Sequence, residues 1–342
     1  MKVVTLGEIM LRLSTPGFQR FVQAQAFDVT YGGGEANVAV ALANYGLDSH
    51  FVSKLPTHEI GQAALNHLRR FGVGTDYVVR GGDRLGVYFL ETGASQRASK
   101  VIYDRAESAV TTLTSDEVDL GAAFEGARWF HFTGITPALG ETARQLVAEA
   151  AEAAQAAGAT VSCDLNFRAK LWTTDEAQAT MRPLMEHVDV CIANEEDAEK
   201  CLGLTAGETD VHGAELDEEG YFRLAERLKE EFDFETVAIT LRESFSASHN
   251  GWSAVLHDDK ECKTPVRSTR YDIQIVDRVG GGDSFASGLI AGLLQKDDTR
   301  EALEFAVAAS CLKQTIPGDF NLVSREEVDK LAAGGGSGRV ER

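Results

Sequence analysis

The sharpest chemical pattern in the chain is DRVGGGDSF at 277–285. Three glycines, Gly280, Gly281 and Gly282, separate an apolar run that reads as a strand from a helix pattern carrying Phe285, Leu289, Ile290, Leu293 and Leu294. Glycines at such a junction let the backbone approach a ligand closely. The free N–H groups of the helix start then face that ligand, and the helix dipole favours an anion. This is the physics of a phosphate site. No GxxxxGK[ST] occurs, and Gly282 is followed by Asp-Ser-Phe, so neither the P-loop nor the dinucleotide fingerprint applies. A carboxylate beside bound phosphates is repulsive, so Asp283 needs a reason to be there. One reason is to accept the proton of a hydroxyl that attacks a γ-phosphate. The competing reading is a structural turn with Asp283 as a helix cap.

Other segments carry polar groups that could meet a second ligand. Gly32, Gly33, Gly34 and Asn37 (GGGEAN) open another helix pattern, where backbone could lie against a sugar while Asn37 offers donor and acceptor. In DLNFR (164–168), Asn166 and Arg168 follow a strand, where open α/β sheets bind ligands. Arg grips a carboxylate or phosphate at two points. Tyr88, Tyr103 and Arg105 stand in two strand-like segments and could clamp an anionic sugar. In Asn194-Glu195-Glu196-Asp197, acids favour a helix start by themselves; near nucleotide phosphates they could also hold Mg²⁺ through water. Each of these also has a plain reading as a turn, a cap or a solvated side chain. None of the eight histidines is paired as HExxH or HxxxH, and no GxSxG is present.

The elements that must position these residues read as alternating strands and helices. Strands are expected at 3–7, 50–54, 129–133, 160–164, 188–193, 236–241, 252–257 and 273–276. Helices are expected after the first glycine run and at 61–71, 141–157, 195–202, 219–232, about 283–295 and about 300–314. This alternation predicts an α/β fold, a doubly wound, mainly parallel sheet with helices on both faces. Hairpin-like stretches within 10–31 and 85–105, including the alternating FVQAQAFDVTY, interrupt it and suit a small β-sheet lid. Residues 1–330 read as one domain and the Gly-rich end, 331–342, as a flexible tail.

Composition bounds the partners. The 342 residues hold 53 Asp+Glu against 33 Lys+Arg, a net charge of −20, which excludes broad nucleic-acid binding. Arg outnumbers Lys 22 to 11, and so acidic a surface suits a salt-rich cytoplasm; activity falling steadily with added KCl would contradict this. The odd count of five cysteines, with no CxxC spacing, argues for reduced thiols in a cytoplasm; Cys163 and Cys191 read as small core residues. No signal-peptide pattern and no membrane-length apolar stretch is seen, so the expectation is a cytoplasmic enzyme with no nucleic-acid or membrane partner.

Together, YGGGEANVAVALANYG (31–46) and DRVGGGDSFASGLIAGL (277–293) make the chain resemble the ribokinase-like (phosphofructokinase-B) carbohydrate kinases from position 3 to about 323. The second motif is close to that family's DxxGAGD, with Gly281 in place of Ala. Within the family, the YDR triplet, DLNFR, ANEED and TLRES are most similar to the kinases of 2-keto-3-deoxygluconate. The resemblance implies a ribokinase-like fold and transfer of the ATP γ-phosphate to the C6 hydroxyl of that sugar acid. It implies Asp283 as the base and the amides from Gly280 to Asp283 as the anion hole. Gly33, Gly34, Asn37, Tyr88, Tyr103, Arg105 and Arg168 would hold the sugar acid. Asn166, Asn194, Thr240 and Arg242, with Gly280 and Gly282, would lie by the nucleotide. Asp197 would reach Mg²⁺ through water, from a position where relatives carry Glu. ATP, Mg²⁺ and an activating K⁺ are the expected cofactors, and a homodimer formed through the lid the expected assembly. A kinase for another sugar, such as 2-keto-3-deoxygalactonate or fructose, and a non-catalytic sensor of sugar or nucleotide are the alternatives.

Overall fold

Short runs of Val, Ile, Cys, Phe and Thr, apolar on both faces, build the strands of the main sheet, as parallel strands covered on both sides require. The computed structural model describes residues 1–206 and 218–336. In chain order the strands are β1 (Lys2–Leu6), β2 (Met10–Ser14), β3 (Asp28–Gly32), β4 (Asp48–Leu55), β5 (Val78–Arg80), β6 (Val87–Glu91) and β7 (Lys100–Asp104), then β8 (Ala127–Thr133), β9 (Thr160–Asp164), β10 (Val190–Ala193), β11 (Thr236–Ser246), β12 (His249–Asp258), β13 (Val266–Arg267) and β14 (Tyr271–Gln274). The helices are α1 (Gly34–Asn44), α2 (Glu59–Arg70), α3 (Leu120–Phe124), α4 (Glu141–Ala156), α5 (Thr174–Leu184), α6 (Glu195–Asp197), α7 (Glu218–Phe232), α8 (Gly281–Gln295), α9 (Thr299–Lys313) and α10 (Arg325–Ala332).

The main sheet has the order β13-β12-β11-β10-β9-β8-β1-β4-β5, with β14 also paired to β12. From β5 to β11 every pair is parallel; β12 joins β11 antiparallel. Chain progression reverses between β8 and β1, and a doubly wound sheet opens its ligand crevice beyond the carboxyl ends at such a point. The register aligns those ends: Thr133 of β8 faces Asp164 of β9, and Asp164 faces Ile192 of β10. One core lies on the α4, α5 and α7 side of the sheet, built on Phe130, Phe132, Leu146 and Leu224; another lies under α1, α8 and α9, built on Phe285, Leu289, Phe305 and Trp129. Helices α8 and α9 approach closely, because a Cβ at Gly288 or Gly292 would stand 2.8 or 2.7 Å from the Cα of Ala306 or Ala302.

A second sheet, β3-β2-β6-β7, is formed from the two segments expected to make a lid. Met10, Tyr88 and Leu90 on its inner side pack against Val279 of the glycine turn. Residues 21–27, expected to continue as strand, form turns instead, and β3 begins only at Asp28. The helix expected at 195–202 divides into the α6 turn, which the Asn194 side chain caps by accepting from Asp197 N at 2.8 Å, and a wider π turn over 198–202. Three helices were not anticipated, the short α3, α5 and α10. Asp119 caps α3 by accepting from Ala122 N at 2.9 Å, while α5 and α10 start with a capping box, Thr173 with Glu176 and Ser324 with Glu327, a readable start signal whose following apolar stripe is sparse. The last two residues of α10 fall where the tail was expected to begin, and 337–342 lie outside the described residues. All five cysteines are free thiols, four of them buried. No helix among the described residues is long and apolar enough to cross a membrane.

Candidate active site

Each residue singled out for chemistry at 33, 34, 37, 88, 103, 105, 166, 168, 194, 197, 240, 242 and 280–283 lines one cleft of about 930 Å³. Its floor is the carboxyl edge of the main sheet and the starts of α1 and α8; β6 and β7 of the second sheet form a wall.

Gly280 caps α8 in the left-handed region, with φ of 81°, and a Cβ there would stand 2.1 Å from the carbonyl oxygen of Asp319. No other residue fits both demands. At Gly281 a Cβ would meet only the Gln314 side chain, at 3.4 Å, so the Ala common in the resembled motif would be accommodated. The α8 start thus stands on the cleft with Gly282 exposed there, while Gly281 N donates to Arg278 O at 3.2 Å within the turn.

Asp283, in the first turn of α8, is held by Asn37, whose Nδ2 donates to Asp283 Oδ2 at 2.6 Å. Asn37 Oδ1 in turn accepts from Gly33 N at 3.2 Å. The second Asp283 oxygen lies toward Gly34: a Cβ there would be 3.8 Å from Oδ1. The two glycine-rich motifs, 246 positions apart, therefore meet at one carboxylate. Burial pushes the Asp283 carboxyl up to about 6; Asn37, Arg168 and Lys313 oppose the rise and Asp319 adds to it. That value suits a group that must accept a proton near neutrality. Asn37→Ala, which removes the donor, is expected to raise the apparent pKa of the acidic limb of kcat/KM, and a pH–rate profile reads the shift directly.

The neighbouring carboxylates share this character. Burial first, then Asp197 and Asp283, hold the Asp164 carboxyl well above its ordinary range, while Asp197 rises to about 6 mainly through burial. Arg168 lowers all three, which places one exposed guanidinium among three carboxyl groups. Asn166 adopts φ of 35°, a left-handed turn that Asn tolerates, and so directs its N–H to Asp164. Asp197 Oδ1 accepts from Phe167 N at 2.9 Å. Among the described residues no cluster of three His, Cys, Asp or Glu could enclose a metal ion. Buried acids short of cationic partners nevertheless fit a Mg²⁺ that takes most of its ligands from phosphate and water.

Several side chains have their polar atoms engaged within the protein. Arg105 donates to Glu8, and Ser108 Oγ donates to the other Glu8 oxygen at 2.5 Å. The Tyr88 hydroxyl donates to Asp319, and its ring lies 5.8 Å from that of Tyr103. At the far end, Arg242 and Arg278 lie near enough that burial and then Arg242 lower the Arg278 pKa, and β11 with β12 extends past the expected strand ends to bring Ser244 and Phe245 to the cleft. Sequence reasoning had missed Glu8, Arg278, Asp319 and Glu35. Glu35 is buried and accepts from Thr133 N at 3.0 Å, Thr133 Oγ1 at 2.8 Å and Thr136 Oγ1 at 2.6 Å, locking the β8 end to α1. A charged residue inside an otherwise apolar helix start was the available signal for it.

A protein-family model described as pfkB family carbohydrate kinase matches residues 1–322. The crystal structure of 2-dehydro-3-deoxygluconokinase from Thermotoga maritima is 55% identical with a TM-score of 0.92, covering 97% of this chain and 98% of that one. A 2-dehydro-3-deoxygalactonokinase of Haloferax volcanii is 35% identical over 98% of both chains. A 2-dehydro-3-deoxygluconokinase of Bacillus subtilis is 28% identical over 95% of this chain and 93% of its own.

Proposed function

We propose that this chain, which belongs to the pfkB family of carbohydrate kinases, uses ATP to phosphorylate the C6 hydroxyl of 2-keto-3-deoxygluconate (2-dehydro-3-deoxygluconate), giving the 6-phosphate and ADP. The observation that carries the reading is Asp283, a carboxyl with a raised pKa held by Asn37 at the mouth of a glycine-built helix N-terminus. Asp283 takes the hydroxyl proton as the C6 oxygen attacks the γ-phosphorus. The bond from that phosphorus to the β–γ bridging oxygen breaks, and ADP leaves. The amides from Gly280 to Asp283 receive the negative charge of the transferring phosphoryl group. Mg²⁺, when bound with ATP, neutralises phosphate charge; Asp197 and Asp164 would hold its waters. Arg168, exposed to the cleft, would take the sugar carboxylate, with Gly34, Tyr103 and the Arg105–Glu8 pair shaping the sugar site. Asn166, Asn194, Thr240 and Arg242 would flank the nucleotide. The 55% identity to a 2-dehydro-3-deoxygluconokinase favours the gluconate-derived acid over its galactonate epimer.

An ADP-release assay across both epimers, fructose and ribose tests the assignment. The gluconate-derived acid should exceed fructose in kcat/KM by about 10²-fold or more. Arg168→Ala should cost on the order of 10²-fold in kcat/KM for the acid and little for a neutral sugar. A preference for the neutral sugar, unaffected by Arg168→Ala, would overturn it. The second sheet leaves Val29 60% and Ile102 54% exposed, the β2–β3 connection leaves Phe18 62% exposed, and we propose that a second copy covers this face. Light scattering should give the mass of a dimer; a monomer alone would contradict it. Five unpaired thiols suit a reducing compartment, so a cytoplasmic location is proposed as well.

A further inference from the structure

Lys313 ends α9, its side chain is shut off from solvent, and the chemistry above gives it no task. Its ammonium donates to two main-chain carbonyls, Asp277 O at 3.1 Å and Val279 O. Both belong to the residues that lead into Gly280. The next residue, Gln314, uses its carbonyl to accept from Val276 N at 2.9 Å and Asp277 N at 3.2 Å. One turn earlier, Ser310 Oγ donates to Gly281 O at 2.7 Å. The last turn of α9 thus grips the phosphate-binding turn by its amides, its carbonyls and its first helical residue, and Lys313 supplies the charge. Asp277 and Asp319, both buried and both ion-paired with Arg12, stand at the same place and favour the ammonium, against burial and Arg12.

Converging carbonyl oxygens beside carboxylates under an anion site are what a bare monovalent cation would seek. In this chain an ammonium already stands there, so the carbonyls do not fit a K⁺ ion as well. We infer that Lys313 is a built-in monovalent cation, a positioning residue that sets the Gly280–Gly282 turn and its field, and that the enzyme needs no K⁺. The inference rests on the kinase reading of the cleft. A buried ammonium is costly unless it is fully partnered, and Met would fill the same space without charge, so its retention points to the turn it holds.

The test uses turnover of whichever sugar the substrate panel shows is accepted, so a wrong substrate and a wrong role for Lys313 give different results. At fixed ionic strength, wild-type kcat in KCl, NaCl and tetramethylammonium chloride should agree within about twofold, since no vacant cation site remains to be filled. Activation by K⁺ of about tenfold or more in the wild type would overturn the inference without any variant. Lys313→Ala should lose about 10²-fold in kcat with the sugar KM changed less than about threefold, and K⁺ or methylammonium should restore about tenfold of that loss. Lys313→Met, which fills the space, should lose as much and recover nothing. A Met variant with wild-type kcat, or an Ala variant that no cation rescues, would refute the role.

Discussion

Asp283→Asn is expected to lower kcat by about 10³-fold or more while the sugar and ATP still bind. The substitution keeps the shape of the side chain and lets its amide oxygen accept from Asn37 Nδ2, now at 2.6 Å from the carboxylate, but removes the site that takes the hydroxyl proton. Binding measured by calorimetry should change little, which separates proton transfer from site assembly. The same variant should be as stable as wild type or more so. The sign follows from the raised pKa. Asp283 titrates near 6 when folded against an ordinary 3.8, so the folded chain holds a proton that the unfolded chain has lost between those values. Stability from this group is therefore greatest at low pH and falls as pH rises toward 6, and the ionised carboxylate is a standing cost at neutrality. Asp197, also raised to about 6, acts in the same direction. Asn removes the cost at pH 7.5, where Tm should rise by on the order of 1–3 °C, and the gain should shrink by pH 5. A variant with near-normal kcat would remove Asp283 from the role of base.

Arg12→Met should be the most destabilising single change near the site, by about 3–5 kcal/mol in denaturant unfolding. Arg12 lies in β2 of the second sheet and is 4% exposed. It donates to Asp319 Oδ1 at 2.6 Å and to Asp277 Oδ2 at 2.5 Å, and Asp277 also accepts from Gly318 N and Val279 N. Burial opposes the guanidinium charge, but Asp319 and Asp277 outweigh it and keep Arg12 protonated more firmly than usual. Removing it leaves two buried carboxylates without their ion-pair partner, with only the nearby Lys313 ammonium to offset them. The cost is thus mainly that of uncompensated charge, and adding Asp319→Asn to Arg12→Met should recover part of it. The half-exposed pair Arg325–Asp329, at 3.6 Å, makes the contrast: its removal should cost less than about 1 kcal/mol. Arg12 also ties the second sheet to the phosphate-binding turn, so the surviving folded fraction should have reduced kcat. Equal effects of the two substitutions would contradict this account of the buried network.

The contrast also explains what could be read from the sequence. The glycine turn, Asp283 and Asn37 were legible because each motif is contiguous and its physics local: glycines before an apolar helix stripe imply an exposed N-terminus. Asn166, Arg168, Asn194 and Asp197 were legible because they follow apolar strands, and strand ends are where a doubly wound sheet binds. The network beneath them was not. Arg12 meets Asp319 across 307 positions and Arg105 meets Glu8 across 97, and no periodicity reports such pairings. Two weak signals were present. Arg12 occupies the same strand face as Met10 in MLRLS, so it is a charge pointing inward. Lys313 closes an apolar helix in a chain that uses Lys sparingly. What was not legible about Asp197 is its burial and its hold on the DLNFR turn, where it accepts from Phe167 N. Helices α5 and α10 carry only sparse apolar stripes behind their capping boxes, and α3, with five residues, is too short to show a period.

The position of the transferred phosphate tests the central claim most directly. Incubating the enzyme with ATP, Mg²⁺ and 2-keto-3-deoxygluconate, then recording the ³¹P–¹³C couplings of the product by NMR, should place one phosphate on the C6 oxygen, with one ADP formed per phosphate transferred. Phosphate on another oxygen, or ADP formed with no phosphorylated sugar acid, would contradict the account.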